Sequence, residues 1–142
     1  MIIQRTSIRR LSKTQKEALM EHTLGRYSAF NFYLEDNSPH VGVVIFKDEN
    51  GELIAWGCLD YMSAFPREEG FLYSNKGNAL MGWFVAPRYR GQGFAHKLAE
   101  NLLTRYKKPI YAESKRIPIE KVLSKLGFQR VVVGNWLDTW AK

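Results

Sequence analysis

The stretch Val85-Ala-Pro-Arg-Tyr-Arg-Gly-Gln-Gly-Phe-Ala95 joins two predicted elements of different kinds. The apolar run Ala79–Val85 before it predicts a β-strand, and Pro87 ends that strand. After it, apolar residues recur over residues 93–106 with the 3.6-residue period of an amphipathic helix. The pattern therefore predicts a strand, a glycine-containing turn and a helix in immediate succession.

The glycines of this turn predict an anion-binding site. Gly91 and Gly93 allow a tight turn that exposes successive N–H groups. Those groups join the unpaired N–H groups and the positive dipole end of the following helix. A diphosphate can lie on such amides with no side chain in the way, while Arg88 and Arg90 add charge-assisted hydrogen bonds. The alternative is a turn that uses glycine for steric reasons alone.

The turn does not match the two common phosphate-binding glycine motifs. The dinucleotide fingerprint Gly-x-Gly-x-x-Gly is absent from the chain, and so is the P-loop sequence Gly-Lys-Ser/Thr. The turn is therefore neither a dinucleotide fingerprint nor a P-loop.

The distribution of charge agrees with an anionic ligand in the second half of the chain. The net charge is +7. Residues 1–80 carry 9 Lys/Arg and 10 Asp/Glu, for −1, whereas residues 81–142 carry 12 and 4, for +8. A localised positive field concentrates anions such as a phosphate-bearing cofactor or nucleic acid. Solubility alone is the competing explanation.

Length and composition predict a single domain over residues 1–142. Hydrophobic residues make up 45% and charged residues 25% of the chain, as in ordinary globular proteins. No apolar run approaches the ~20 residues of a membrane span. A lone Cys58 and the lack of a secretory signal predict the reducing cytoplasm. His22 and His40 have no metal-ligand spacing with each other or with Cys58, so no metal site is expected.

The other segments predict a mixed α/β fold. A strand at 2–5 is followed by the capping box of Ser12 and Gln15, which opens a helix over 13–24. The runs 41–47 and 52–62 form a hairpin through Asp48-Glu-Asn-Gly51, because Asn-Gly tolerates positive φ. The last predicted elements are a strand at 109–113, a helix at 119–126 that ends at Gly127, and a closing hairpin of 128–133 with 136–140.

These motifs resemble the GNAT superfamily of acyl-CoA-dependent N-acyltransferases. The family signature, Gln/Arg-x-x-Gly-x-Gly/Ala after a strand, is matched by Arg90, Gly93 and Ala95. The segments Trp83-Phe-Val-Ala-Pro87 and Leu126-Gly-Phe128 are also similar to the family, and the resemblance covers residues 79–133. It implies a twisted mixed central sheet flanked by helices, in which the strands at 79–85 and 109–113 splay into a V.

The same resemblance implies how acetyl-CoA would bind. Its pantetheine would lie in the V against backbone groups of Trp83 and Val85, and its pyrophosphate would lie on the amides of residues 90–95. Arg116 either reaches a cofactor phosphate or is a solvated surface residue. The expected cofactor-binding residues are Trp83, Phe84, Val85, Arg88, Arg90, Gly91, Gln92, Gly93, Phe94, Ala95 and Arg116.

The catalytic residues are harder to place, because the chain departs from the family pattern. Leu123 stands where the family often has a tyrosine that acts as the general acid for the sulfur. Arg116 stands where an asparagine is common. Ala79 lies near the position of a carboxylate base in several relatives. Proton transfer would then fall to ordered water or to other polar residues near the cleft, of which the candidates are Asp60, Tyr61, Glu113 and Ser114.

The function implied by the resemblance is transfer of an acetyl group from acetyl-CoA to a primary amine, by direct attack in a ternary complex. A basic chain repels polycations, so a protein lysine or N-terminus is preferred over a polyamine. Specificity is expected from residues 27–33 and the loop 63–77, and the protein is expected to be a monomer or homodimer. Two alternatives stay open: an enzyme that acetylates aminoacyl-tRNA, and a non-catalytic acyl-CoA-binding module.

Overall fold

The computed structural model describes residues 1–23, 34, 41–60, 79–104, 110–114, 117–133 and 138–142. Within these ranges, seven strands form one sheet and three α-helices accompany it, which confirms the mixed α/β class. The elements are β1 (Ile2–Ser7), α1 (Lys13–Thr23), β2 (Val41–Lys47), β3 (Leu53–Asp60), β4 (Ala79–Val85), α2 (Phe94–Leu103), β5 (Ile110–Ser114), α3 (Ile117–Lys125), β6 (Gln129–Val132) and β7 (Asp138–Ala141).

Helix α1 begins at the predicted capping box. The Oγ of Ser12 accepts the N–H of Gln15 at 3.1 Å, and Oε1 of Gln15 accepts the N–H of Ser12 at 3.0 Å. These reciprocal bonds satisfy two N–H groups that have no acceptor inside the helix. Leu19 then carries the helix onto one face of the sheet, in a cluster that includes Ile45 and Trp56.

The strands lie in the order β1-β2-β3-β4-β5-β7-β6. Each neighbouring pair is antiparallel except β4 and β5, which are parallel. The predicted closing hairpin is confirmed, but its second strand, β7, is the one that pairs with β5. The Lys142 N–H extends this pairing by donating to the Ile110 carbonyl at 3.1 Å. The predicted turn at residues 134–135 lies outside the described residues.

Strands β4 and β5 separate soon after they start, as the family resemblance implied. Their described pairing covers two positions, Ala79 with Ile110 and Leu80 with Tyr111. Strand β4 then continues along β3 to the pair of Val85 with Ala55, while β5 follows β7 instead. The sheet therefore opens between β4 and β5 into a V whose closed end lies at residues 79–80.

Helices α2 and α3 share the opposite face of the sheet from α1. Leu98 and Leu102 of α2 and Leu123 of α3 belong to one buried cluster with side chains of β2 to β5. Helix α2 approaches the sheet closely because Gly57 has no side chain. A Cβ there would lie 2.8 Å from the Gly82 carbonyl oxygen and 2.9 Å from Cδ1 of Leu102.

The turn between β2 and β3 is organised by Asp48. Its Oδ1 accepts the N–H groups of Asn50 at 2.9 Å and Glu52 at 3.0 Å, and Gly51 takes the left-handed conformation at φ 83°. These bonds confirm the predicted hairpin. The backbone bond from Glu52 is the main cause that holds the pKa of Asp48 below its ordinary value, with smaller contributions from Tyr89, Asn50 and Arg88 against the effect of burial.

Replacement of Gly57 by alanine tests the close approach of α2 to the sheet. We expect Gly57→Ala to lower the free energy of unfolding by about 1–3 kcal/mol, because the new methyl group forces a backbone or helix shift. Urea denaturation measures this cost. In a Leu102→Ala background the added cost of Gly57→Ala should fall, since one of the three closest contacts of the new methyl group has been removed. An equal cost in both backgrounds would contradict the packing.

The lowered pKa of Asp48 predicts how stability depends on pH. Its carboxylate contributes stability above the ordinary aspartate pKa of about 3.9 and loses that contribution as the pH falls through the lowered, folded value. We expect the wild-type protein to melt at a higher temperature than Asp48→Asn at about pH 6, with the difference shrinking below about pH 4. Thermal unfolding midpoints at both ends of this range provide the measurement. An unchanged difference at about pH 2 would contradict the assignment.

Candidate cofactor site

The segment after β4 forms a tightly bonded turn at the open end of the V. The Ala86 N–H donates to the Ile54 carbonyl at 2.8 Å and thereby ties the segment to β3. Pro87 begins a short 3-10 helix that the sequence did not predict. Within it, the N–H of Tyr89 donates to Ala86 at 2.9 Å and that of Arg90 donates to Pro87 at 3.3 Å. The Arg90 amide is therefore already used, and the amides offered to a ligand begin at Gly91.

Gly91 and Gly93 both adopt positive φ, at 76° and 84°. Gly93 is the residue that caps the N-terminus of α2. Among the described residues, no atom beyond the glycine itself and its chain neighbours lies within 4 Å of a Cβ placed on Gly91 or Gly93. The two glycines that precede α2 thus border open space, and the first N–H groups of a helix favour an anion because the helix dipole is positive there. This arrangement fits the predicted pyrophosphate cradle.

The two arginines of the turn point to different neighbours. Nε of Arg90 donates to the Val85 carbonyl at 3.0 Å, and its guanidinium lies 5.7 Å from the centre of the Phe84 ring. Nη1 of Arg88 instead pairs with Oε2 of Glu52 at 3.0 Å. Arg90 therefore lies along β4, whereas Arg88 reaches the β2–β3 turn. A direct phosphate contact by either arginine stays a prediction.

The backbone of β4 supplies polar groups to the V. Because Ala86 donates toward β3, the alternation of an antiparallel ladder also directs the N–H and C=O groups of Phe84 toward β3. The groups of Trp83 and Val85 then face the other way, into the V. The bond from Arg90 to the Val85 carbonyl agrees with this direction. These are the two residues whose backbone groups were expected to bind pantetheine.

The side chains of Gln92 and Phe94 make contacts within the turn. Nε2 of Gln92 donates to the Arg88 carbonyl at 3.2 Å. The Phe94 ring meets the Tyr89 ring edge to face, with centroids 5.7 Å apart. Ala95 is half-buried in the first turn of α2. The sequence expected these residues to contact the cofactor, and the described side-chain contacts of Gln92 and Phe94 hold the turn together.

Glu113 and Ser114 lie on β5, the arm of the V opposite β4. Counting on from the pair of Leu80 with Tyr111, Glu113 comes level with Gly82 and Ser114 with Trp83. Asp60 has a different place. Asp60 lies on β3 and pairs with Leu80 of β4, so it is level with the closed end of the V. Tyr61 and Arg116 lie outside the described residues, as do the segments 27–33 and 63–77.

Leu123 is fully buried in the core, with 0% exposure. Its role is packing, so the position where relatives often have a tyrosine provides no proton donor here. Cys58 is also buried, and burial raises the pKa of its thiol well above the ordinary value. A thiol that remains protonated is a poor nucleophile. Ala79 begins β4 and pairs with Ile110.

His96 takes part in an ion pair within α2. Nδ1 of His96 pairs with Oε1 of Glu100 at 3.1 Å on the outer face of α2. Among the residues that the structure describes, no group of three or more His, Cys, Asp and Glu side chains could hold a metal ion. In the same ranges, no helix has the length and apolarity needed to cross a membrane.

Sequence reasoning missed the contact between Asp48 and Tyr89. Oδ2 of Asp48 accepts the Tyr89 hydroxyl at 2.9 Å across 41 residues of sequence. The turn pattern predicted a hairpin at Asp48, but no local signal pairs it with Tyr89. The ion pair of Arg130 with the buried Asp138, at 3.5 Å, was also not predicted.

A family model and several solved structures resemble the chain. The model of the acetyltransferase (GNAT) family matches residues 6–128. An acyl-CoA N-acyltransferase from Pseudomonas aeruginosa superposes with a TM-score of 0.69 at 17% identity, covering 99% of this chain and 98% of that chain. A ribosomal-protein-alanine N-acetyltransferase from Brucella melitensis gives 0.68 at 18% identity, covering 100% and 99%.

A third similar structure contains the expected ligand. The N-acetyltransferase PseH of Campylobacter jejuni, in complex with acetyl coenzyme A, gives a TM-score of 0.67 at 12% identity and covers 99% of this chain and 98% of that chain. Comparison with curated proteins gave no match. At these identities the solved structures establish a shared fold, and the family model establishes descent. The chain therefore belongs to the acetyltransferase (GNAT) family.

Proposed function

We propose that this protein binds acetyl-CoA across the mouth of the V and transfers its acetyl group to a primary amine. The observation that carries the proposal is the position of Gly91 and Gly93. Both glycines adopt the left-handed backbone conformation, and both border open space. They lie between α2 and β4, the strand that separates from β5. A phosphate cradle and a cleft for an extended chain thus adjoin each other.

The pyrophosphate is proposed to lie on the amides from Gly91 to Ala95, where helix dipole and N–H groups both favour an anion. The pantetheine arm would run along β4. The Trp83 backbone groups and the Val85 N–H face this path, while the Val85 carbonyl is engaged by Arg90. Arg90 would then lie beside the arm, and Arg88 and Arg116 complete the proposed set of phosphate contacts.

The reaction proposed for this cleft is direct aminolysis of the thioester. A neutral amine attacks the carbonyl carbon, a C–N bond forms, and the C–S bond breaks. The amine gives up one proton, and the coenzyme A thiolate takes one. Since Leu123 is buried, the proton is proposed to pass through Glu113 or Ser114, on the far arm of the V, with Asp60 as a further candidate.

The acceptor is proposed to be a protein lysine or N-terminus, in the cytoplasm. The excess of positive charge in residues 81–142 supports this choice, because it disfavours a polycationic small amine. Names of similar structures include acetyltransferases for ribosomal-protein alanine, for spermidine and for phosphinothricin, so the fold leaves the choice of acceptor open. The burial of Leu123 favours one alternative, a module that binds acetyl-CoA without transferring it.

Replacement of Gly93 by tryptophan tests the cradle. We expect Gly93→Trp to weaken acetyl-CoA binding by about a hundredfold or more, because the side chain displaces the diphosphate from at least two charge-assisted hydrogen bonds. Isothermal titration calorimetry measures the affinity. The matched control is Gly127→Trp, which places the same side chain on another left-handed glycine, at φ 89°, beyond α3. Equal affinities of the two variants would disprove the cradle.

Replacement of Glu113 by glutamine tests the proton acceptor. If Glu113 receives the amine proton, Glu113→Gln should lower kcat by about 10²- to 10⁴-fold and remove the acidic limb of the pH profile, with little change in acetyl-CoA affinity. Release of free thiol across a panel of amines and peptides is the assay, and Glu120→Gln on α3 is the control. Tight binding of acetyl-CoA by the wild-type protein without thiol release on any acceptor would instead support the non-catalytic module.

A further inference from the structure

The two carboxylate oxygens of Asp48 accept hydrogen bonds from two different segments, the β2–β3 turn and the loop of residues 86–93. Oδ1 accepts the two backbone N–H groups of the β2–β3 turn, from Asn50 and Glu52. Oδ2 accepts the Tyr89 hydroxyl at 2.9 Å. The turn bonds fix the orientation of the carboxylate, so Oδ2 is already directed toward Tyr89 before any ligand binds.

Tyr89 transmits this fixed position to the glycines. Its ring packs on the core cluster and meets the ring of Phe94, the first residue of α2. The hydroxyl also accepts a hydrogen bond from Nη2 of Arg88 at 3.0 Å. Tyr89 therefore connects a fixed carboxylate on one side with the helix N-terminus on the other, and Gly91 and Gly93 lie between these contacts in sequence.

The ion pair of Arg88 with Glu52 runs beside this connection. Its two side chains are 65% and 62% exposed, so solvent screens the pair and its own contribution is small. Asp48 is different, because its side chain is only 18% exposed and accepts three hydrogen bonds. A third contact joins Nη2 of Arg88 to Oδ2 of Asp48 at 3.9 Å. The Asp48–Tyr89 bond is thus the strongest of these three ties between the turn and the loop.

We propose that Asp48 and Tyr89 are positioning residues for acetyl-CoA, which hold the loop of residues 86–93 in the conformation that binds the pyrophosphate. This inference rests on the proposed function of that loop. Glycines in the loop lower the barrier to other backbone conformations. A loop that is competent for only part of the time binds with an affinity reduced by that fraction. The tie keeps the competent fraction high without touching the ligand.

The test uses Tyr89→Phe, which removes the hydroxyl and keeps the ring, and Asp48→Asn, which keeps one oxygen for the turn. Each variant is expected to weaken acetyl-CoA binding about three- to tenfold by calorimetry, with kcat at saturating acetyl-CoA unchanged. Amide hydrogen exchange in the ligand-free variants should speed up more over residues 86–95 than over β2 and β3.

The double variant separates positioning from general loss of stability. If both side chains act through one hydrogen bond, the double variant should bind acetyl-CoA no more weakly than the single variant with the lower affinity. Gly127→Ala is the control, because it destabilises the end of α3 without touching the loop, and its acetyl-CoA affinity should equal that of the wild type. Affinity losses that multiply in the double variant would overturn the proposal.

Two other outcomes are distinguishable. If the wild-type protein itself does not bind acetyl-CoA, the proposed function fails and the positioning role fails with it. If the wild-type protein binds and Tyr89→Phe binds equally well, the proposed function stands and the positioning role is wrong. Loop exchange rates in the ligand-free protein decide the structural part of the inference in either case.

Discussion

The pairing of β4 with β5 ends after Leu80 and Tyr111, and the site depends on where it ends. Beyond that point β4 remains hydrogen-bonded to β3 on one side, while Trp83 and Val85 present backbone groups on the other. Inside a sheet such groups are normally satisfied by a neighbouring strand. Here part of that demand is met by Arg90 at the Val85 carbonyl. An extended ligand with amide groups can meet the rest in the manner of a strand.

The glycine turn is useful only because α2 is held in a definite place beside this opening. The absence of a side chain at Gly57 lets Leu98 and Leu102 press the helix against β3 and β4. The helix then brings its N-terminus, with Gly93 as cap, to the open end of the V. Close packing in the core and the proposed anion binding at the surface therefore both depend on the same helix position.

Much of the fold and the core of the candidate site could be read from local patterns. The capping box at Ser12, the hairpin around Gly51 and the glycine at the start of α2 all appear where residue type demands them, because each depends on backbone geometry within a few positions. Leu123 is buried in the core because it belongs to the apolar face of α3. The assignment of Glu113, Ser114 and Asp60 to catalysis stays a prediction, since local patterns say nothing about which polar groups face one cleft.

By itself, the sequence determined the succession of strands and helices along the chain, the glycine turn before α2, and the resemblance to the family. Only the tertiary structure decided that β7 lies between β5 and β6, that Arg88 pairs with Glu52, and that Tyr89 bonds to Asp48 across 41 residues. The physical reason is range. Periodicity, capping and turn chemistry act between neighbours in the chain, whereas strand order and side-chain pairing depend on how separate elements pack around a shared core.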